Sequence, residues 1–498
     1  MGIVQSQVLR NNALSILGVA IGAFAQLYVY TLNLEVKGLA DALLKWAQLL
    51  APFFMLGTTS VMVRMLPYVS GEREAGAGRL YGRALTVLVA TCITAGLLLW
   101  AGGADYLARQ LSEGAEIGYL GSRPYLILCL ILMTGLIAVQ TTHLMNALRI
   151  DVPVVASSII PKLGLIALVL LTVYGSLQRE GFAYGLIALY GLSSLFLFWY
   201  SRRRGAARPS LGTLGLSAAA RRQMYALGGY SILGSLGSVL ATHIDTVFVS
   251  TYLGDVDTAI YSFAIFATTV IQLPNKAVQS ITSPIVAQEW KNGNLAHLGM
   301  LYRDSAAVLL AAGGMIYAGG VVCLPHVYAL AERTENLSLS YWVFIYLGAG
   351  ALFDLMTSIN STLIGNTDYF RWNVLFVVLL GTVNIVLNYV FIAQLEQGLQ
   401  GAAIATALSL LLYNVVKTAF VYFRMGLHPL SLGIFYTGAV ILGSVGLALA
   451  LPESDIPLVN ILLRGSVVVI SFFLYLRFTN GVPALRKFLT ELKMPFGG

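Results

Sequence analysis

The chain has 498 residues, of which 58% are hydrophobic and only 10% are charged. Soluble domains are usually about 25% charged, so this composition excludes a soluble domain and indicates a protein that crosses a membrane many times. The net charge of +8 lies mostly in short loops on one side of the predicted spans. It therefore indicates orientation rather than an anionic partner such as nucleic acid.

A helix needs about 20 mostly apolar residues to cross the hydrocarbon core of a bilayer, and fourteen segments meet this requirement. The first continues through Leu34, which is too long for the apolar part of a signal peptide. We therefore interpret it as a retained span. The predicted spans are 12–34, 44–66, 81–101, 124–146, 153–174, 182–200, 225–252, 258–287, 304–328, 341–364, 372–394, 399–423, 431–451 and 457–477.

An arginine-rich segment, Ser201–Arg222, separates the sixth predicted span from the seventh. It holds six arginines and no acidic residue. Positively charged loops stay in the cytoplasm during insertion, so this segment predicts the orientation of the spans around it. With a cytoplasmic amino terminus, twenty basic residues fall in inside segments and six in outside loops, Lys37 and Lys45 among the six. We therefore predict that both termini are cytoplasmic.

Two parts of the chain resemble each other faintly. A Leu-Tyr pair at 80–81 recurs at 301–302, an offset of 221 residues, and Pro52 recurs as Pro274, an offset of 222. Six spans per repeat is an even number, so both copies insert the same way up as parallel repeats. The prediction is an all-α integral membrane protein of two six-helix lobes related by a pseudo-twofold axis, plus two extra carboxy-terminal helices. The spans that contain the two prolines should bend, because proline removes a helical hydrogen bond.

The corresponding domain boundaries follow from the spans. The predicted domains are an amino-terminal lobe at 1–200, a cytoplasmic basic loop at 201–224, a carboxy-terminal lobe at 225–424, spans 13 and 14 at 425–478 and a cytoplasmic tail at 479–498.

Ionisable residues inside predicted spans are costly and are functional-site hypotheses by default. Asp245 lies in span 7, Lys276 follows Pro274 near the middle of span 8, and Asp354 lies deep in span 10. A broken helix beside a buried charge is typical of a transport site. The structural alternatives are that Asp245 ties two helices by hydrogen bonds and that Asp354 forms a static ion pair with Lys276 or a neighbour.

Four further basic residues fall within spans. Arg64 and Lys417 lie near predicted cytoplasmic ends, where long side chains reach the interface by snorkelling. Lys162 and Arg464 lie deeper, where either one is suited to an anionic headgroup. The chain shows no phosphate-binding loop, no His/Glu metal spacing and no large extramembrane domain. We therefore expect no enzyme, no metal and no cofactor.

Two stretches resemble a known family. Asp245, Gly254, Tyr261, Ala264 and Pro284 are similar in order and spacing to the seventh and eighth spans of polysaccharide flippases of the Wzx (O-antigen) type. These flippases belong to the multidrug/oligosaccharidyl-lipid/polysaccharide exporter superfamily. The second stretch resembles their second-lobe signature and consists of Asn384, Asn388, Gly398, Gly401, Ala402, Ala403 and Thr406.

The resemblance implies a flippase in a bacterial cytoplasmic (inner) membrane. Its substrate would be a polyprenyl-diphosphate-linked oligosaccharide, moved by alternating access from the cytoplasmic to the outer leaflet for cell-surface polysaccharide biosynthesis. Lys276 and Arg64 would attract the diphosphate, with Lys162 and Arg464 as further candidates. Asp245 and Asp354 would pair with charge, and Asp245 would meet a cation, a proton or a sugar hydroxyl. The coupling ion would be H+ or Na+.

Two alternatives remain open. A multidrug or cation antiporter of the same superfamily usually has twelve spans rather than fourteen. A membrane-embedded glycan polymerase would be an enzyme, and we would expect it to carry a sizeable outer loop, which this sequence lacks.

Overall fold

The computed structural model of the protein describes residues 14, 17–69, 73–106, 123–147, 151–203 and 207–478. Within these ranges every regular element is a helix. The predicted cytoplasmic tail, 479–498, and residues 204–206 of the arginine-rich segment lie outside the described residues.

The helices follow one another with short connections. In chain order they are α1 Leu17–Leu32, α2 Leu34–Met55, α3 Thr58–Met65, α4 Arg73–Leu98, α5 Pro124–Asn146, α6 Val152–Val173, α7 Arg179–Arg203, α8 Ala218–Tyr252, α9 Asp255–Ile271, α10 Leu273–Lys291, α11 Leu295–Leu330, α12 Thr334–Thr357, α13 Ile359–Gly365, α14 Trp372–Asn388, α15 Gly398–Met425, α16 Leu432–Leu449 and α17 Pro457–Phe478.

The predicted class, an all-α integral membrane protein, is confirmed. Ten helices of the described residues are long and apolar enough to cross a membrane, and up to twelve if each of two bent pairs counts as one span. The predicted number of fourteen spans stays a prediction. Its first span corresponds to the shorter helix α1, and its eighth span corresponds to the successive helices α9 and α10.

The chain divides into two compact units, residues 1–259 (unit 1) and 260–498 (unit 2). In unit 1, α5 packs against α2, α4 and α7, and α8 packs against α2. In unit 2, α11 packs against α10, α12, α16 and α17, and α12 packs against α15. The helix α8 therefore groups with unit 1. The assignment of the spans to two six-span lobes stays a prediction.

The predicted bend near Pro52 is confirmed. The chain turns by 54° between α2 and α3, at Leu56 and Gly57, which both have left-handed backbone conformations. Gly57 has no substitute here, because a Cβ at this residue would lie 2.6 Å from the carbonyl oxygen of Gly228. The break predicted near Pro274 lies two residues earlier, at Gln272, so the proline occupies the first turn of α10, where its missing N–H leaves no helical bond unmade.

The described part of the arginine-rich segment packs on α4. The backbone N–H of Ser210 donates to the carbonyl oxygen of Gly78 at 3.0 Å, and the Arg79 guanidinium donates to the carbonyl oxygen of Thr213 at 2.6 Å. A Cβ on Gly82 would lie 2.3 Å from the carbonyl oxygen of Ser210. Two glycines one helical turn apart thus let the segment lie directly on the helix backbone.

Candidate functional site

A line of charged residues runs along one face of α2 in unit 1. The helix begins at Leu34 because the Asn33 side chain accepts a hydrogen bond from the third backbone N–H that follows it, at 3.2 Å. Lys37, Asp41 and Lys45 then follow at intervals of four residues, which places them on the same face. Lys37 and Asp41 form an ion pair, with side chains only 4% and 14% exposed. Lys37 is therefore buried, and Asp41 is largely covered beside it.

The third charge on this face connects α2 to α8. The Nζ atom of Lys45 lies 3.1 Å from Nδ1 of His243. An ammonium group only donates hydrogen bonds, so a charged Lys45 requires Nδ1 of His243 to be the unprotonated acceptor of this contact. Lys45 is also within electrostatic reach of Asp41 and Asp245. Two lysines and two aspartates therefore balance each other in charge.

Asp245 is one of the residues predicted to be functional, and the structure buries it to 5% exposure. Its Oδ1 atom accepts a hydrogen bond from the backbone N–H of Thr246 at 2.8 Å. It shares α8 with His243 and so belongs to the same cluster as the α2 charges. We call Lys37, Asp41, Lys45, His243 and Asp245 the charged cluster.

Sequence reasoning missed the α2 part of this cluster. The prediction that Lys37 and Lys45 lie in outside loops is wrong, because the Asn33 cap starts a helix ten residues before the predicted span at 44. The charged residues of α2 lower the mean hydropathy of this stretch, so a search for about 20 mostly apolar residues does not include it. The sequence does contain a feature that indicates this helix: a capping asparagine is followed by a lysine, an aspartate and a lysine at four-residue intervals.

A second cluster lies in unit 2 around Asp354 of α12. Its Oδ1 atom accepts from Asn414 Nδ2 of α15 at 2.9 Å, and its Oδ2 atom accepts from Gln272 Nε2 at 3.3 Å. Gln272 occupies the break between α9 and α10, so the carboxylate joins three parts of the unit. The predicted ion pair between Asp354 and Lys276 is not formed. The partners are neutral amide neighbours.

Lys417 of α15 is 1% exposed. Its ammonium group donates to Ser361 Oγ and, at 3.0 Å, to Tyr413 Oη. The snorkelling predicted for Lys417 is therefore wrong, because two hydroxyl partners hold the charge inside the unit. Asp354 lies within electrostatic reach of Lys417, but the two side chains do not touch. Hydroxyl groups contact the ammonium group, and amide groups contact the carboxylate. We call Asp354, Gln272, Asn414, Lys417, Ser361 and Tyr413 the amide–hydroxyl cluster.

The signature residues of unit 2 pack tightly. Asn384 and Asn388 are 1% and 0% exposed, and the Asn388 side chain donates to the carbonyl oxygen of Asn384 at 2.9 Å. A Cβ on Gly401 would lie 3.0 Å from the carbonyl oxygen of Phe391. Gly398 begins α15 with a positive φ of 57°. The remaining signature residues are buried along α15 and are Ala402, Ala403 and Thr406.

The four predicted cationic binding residues fall into two groups. Lys276 in the first turn of α10 and Arg64 in the last turn of α3 are exposed. Lys162 donates to the carbonyl oxygen of Gly18 at 2.7 Å. Arg464 lies 2.9 Å from His326 Nε2 and 3.4 Å from a carboxylate oxygen of Glu453. The first two are available to a ligand, whereas the last two hold helices together.

Nothing in the described ranges resembles a metal centre, since they contain no group of three or more His, Cys, Asp or Glu side chains placed to hold an ion. The two clusters instead supply buried charges and hydrogen-bonding groups inside helices that are apolar enough to cross a membrane. Such groups in membrane helices typically mark substrate or ion pathways.

Comparisons with known proteins agree with this reading. Residues 88–309 match a family described as polysaccharide biosynthesis protein. No curated protein matches the sequence. Among solved structures, the chain is similar to the lipid II flippase MurJ in an inward closed conformation, with a TM-score of 0.69 and 14% identity over 94% of this chain and 99% of that one.

Two multidrug-type structures are also similar. One is an inward-facing multidrug resistance MATE family transporter of the MOP superfamily, with a TM-score of 0.65 and 15% identity over 84% of this chain and 98% of that one. The other is a MOP superfamily transporter from Pyrococcus furiosus, with a TM-score of 0.56 and 15% identity over 85% and 96% of the two chains. These TM-scores establish a shared fold. With the family match, they confirm the predicted resemblance to flippase-type exporters of this superfamily.

Proposed function

We propose that the protein is a flippase for polyprenyl-diphosphate-linked oligosaccharides. It would move them by alternating access from the cytoplasmic to the outer leaflet of a bacterial inner membrane, with both termini in the cytoplasm, and would serve cell-surface polysaccharide biosynthesis. The observation that carries the proposal is the match of residues 88–309 to polysaccharide biosynthesis proteins in a chain that has the exporter fold. The role is transport rather than an enzymatic reaction.

The substrate sets the chemical requirements. A diphosphate and a sugar headgroup cannot cross hydrocarbon unaided, because moving an unpaired charge out of water is strongly unfavourable. Arg64 and Lys276 are exposed, and neither forms an ion pair within the described residues. These two side chains are therefore the ones that we propose bind the diphosphate. Lys162 and Arg464 have internal partners and support the helices instead.

The carboxylates provide the coupling. Asp245 belongs to a cluster whose charges balance, so a proton or a Na+ ion that reaches its carboxylate changes the pairing with Lys45. Asp354 accepts a hydrogen bond from a side-chain amide on each of its two oxygens. We propose Asp245 as the carboxylate that responds to the coupling ion, H+ or Na+, and Asp354 as the second site of charge pairing.

A multidrug or cation antiporter is the second candidate. The similarity to MATE transporters favours it, and buried carboxylates suit cationic drugs. The two functions differ in the charge of the cargo: a lipid diphosphate is anionic and long-chained, whereas such drugs are cationic.

Reconstitution into proteoliposomes separates the candidates. A fluorescent polyprenyl-diphosphate oligosaccharide placed in both leaflets should become accessible to an external glycosidase at a protein-dependent rate. A lipophilic cation such as ethidium should show no protein-dependent uptake under an imposed proton or Na+ gradient. Gradient-driven ethidium transport without flipping of the lipid-linked glycan would overturn the flippase proposal in favour of the antiporter. Protein oriented by nanobody capture, compared with protein-free liposomes, is the control.

A further inference from the structure

A half-open apolar cavity lies at the end of unit 1 that carries the arginine-rich segment. Its volume is about 540 Å³, and α3, α4, the chain after Arg208 and the first half of α8 form its walls. Met62 and Leu80 line it from α3 and α4, and Leu214 lines it from the arginine-rich segment. Leu214 is only 4% exposed, so the segment is an integral part of the wall.

The cavity has one charged group. Arg83 of α4 is the only charged side chain that lines it within the described residues. The side chain is exposed, as is that of Tyr225, so both mark the mouth. Arg79, one helical turn earlier, is committed to the carbonyl oxygen of Thr213. Arg83 has no hydrogen bond or ion pair with another described residue, so its guanidinium is free to bind a ligand.

These walls define the chemistry of an occupant. Apolar walls favour a hydrocarbon chain, and a guanidinium at the mouth favours a phosphate, which it contacts through two parallel hydrogen bonds. The volume lies within the range of about 300–1,000 Å³ that is typical of small-ligand sites, which suits a short length of a single hydrocarbon chain.

We propose that this cavity binds the first isoprene units of a polyprenyl diphosphate, with the adjoining phosphate on Arg83. The inference rests on the proposed function and adds a specific site within unit 1 for the lipid part of the substrate. No acidic residue lies in Ser201–Arg222, so the segment beside the mouth repels no phosphate. The cavity would hold the carrier lipid at the membrane surface from which transport starts.

Binding to the purified full-length protein in neutral detergent tests the site without requiring transport. The probe is farnesyl diphosphate, and affinity is measured by isothermal titration calorimetry. Inorganic diphosphate has only the charged group of the probe and farnesol only its isoprenoid chain, so each should bind at least about tenfold more weakly than farnesyl diphosphate. Dioleoyl phosphatidylglycerol at equal concentration should not displace the probe. Displacement by this lipid would mean a bulk-lipid site and would overturn the proposal.

A matched pair of variants on α8 tests the location. Gly229 lines the cavity, and a Cβ there meets nothing within 4 Å; Gly234 has the same free space but does not line it. Gly229→Phe should fill the cavity and weaken farnesyl diphosphate binding at least about tenfold, whereas Gly234→Phe should leave the affinity unchanged. Equal affinity of the two variants would overturn the proposal.

Arg83→Gln tests the charge at an exposed position where folding is not at stake. It should weaken binding of farnesyl diphosphate by about tenfold and leave binding of farnesol unchanged. An unchanged affinity for farnesyl diphosphate would contradict the proposal even where Gly229→Phe fails to accumulate. If the protein flips the lipid-linked glycan but neither variant changes binding, this site is rejected and the proposed flippase function stands. If the protein binds farnesyl diphosphate specifically at this site but does not flip the glycan, the site stands and the proposed flippase function is rejected.

Discussion

The charged cluster of unit 1 and the amide–hydroxyl cluster of unit 2 bury charge in different ways. In unit 1, Lys37 and Asp41 contact each other directly within one helix. In unit 2, Asp354 and Lys417 are each surrounded by amide or hydroxyl groups and do not touch. A contact ion pair depends on both partners, because the loss of either leaves an uncompensated buried charge. A charge held by neutral groups keeps those hydrogen bonds when a distant opposite charge changes.

This difference separates two roles. In a direct ion pair, a proton or cation that binds the carboxylate replaces the lysine as its partner, so the contact between the two side chains changes strongly. Neutral shells hold a charge in place whatever the state of the opposite charge. The Lys37–Asp41 pair is therefore the better candidate for a part that changes in the proposed transport cycle, and the amide–hydroxyl cluster for a part with fixed geometry.

The largest expected effect comes from breaking the ion pair of unit 1. Asp41→Asn removes the charge that balances Lys37 and should lower the free energy of unfolding by about 3–5 kcal/mol. The double variant Lys37→Met with Asp41→Leu replaces both charges with apolar groups and should recover most of the loss. Unfolding by sodium dodecyl sulfate in mixed micelles measures both. A single variant that is as stable as the double variant would show that the pair has no such dependence.

A smaller loss is expected in unit 2. Asp354→Asn keeps the shape of the side chain, but the new NH2 group cannot accept a hydrogen bond from an amide donor. One of the two hydrogen bonds is therefore lost and the other becomes a weaker neutral one, so the cost should be about 1.5–3 kcal/mol. The same unfolding assay compares it directly with Asp41→Asn. The comparison between the units breaks down if Asp354→Asn is the more destabilising of the two.

Removal of the cap of α2 should cost less again. Asn33→Ala deletes the side-chain hydrogen bond to the Val36 backbone N–H and should lower stability by about 1 kcal/mol. Asn33→Ser retains a capping oxygen and serves as the matched control. Because the cap positions the turn that carries Lys37, hydrogen exchange should increase at the start of α2 in the alanine variant. Unchanged exchange there would mean that the ion pair alone fixes this turn.

The smallest effect on stability is expected at Lys276. The side chain is exposed, so Lys276→Ala should change the free energy of unfolding by no more than about 0.5 kcal/mol. It should nevertheless reduce glycan flipping at least about tenfold, and Lys276→Arg should keep part of the activity because it keeps the charge. Flipping rates normalised to protein abundance provide the measurement. A normal rate in Lys276→Ala would remove this lysine from the proposed diphosphate site.

Hydropathy alone predicted most of the fold, because bilayer thickness sets the length of an apolar helix. The two prolines predicted the helix break near Pro274 and the bend after Pro52, although the bend itself lies at Leu56 and Gly57. The start of α2 did not follow. Its two lysines are compensated by Asp41 and by partners on α8, and that compensation exists only in the folded unit.

The candidate site was predictable only in part. Asp245 and Asp354 stood out as acidic residues in apolar spans, and both are centres of buried polar clusters. Lys417 was misread, because depth along a helix does not reveal hydroxyl partners on a different helix. Gly78 and Gly82, which carry the arginine-rich segment on α4, have no sequence signal that distinguishes them from other helical glycines.

Depletion of the protein from its own cells tests the flippase assignment most directly. The measured quantity is the pool of polyprenyl-diphosphate-linked oligosaccharide that a membrane-impermeant periodate reagent added to intact cells cannot reach. We predict that this protected pool grows on depletion and returns to normal on re-expression of the wild-type chain. A total pool that stays constant and fully reachable in depleted cells would contradict the assignment.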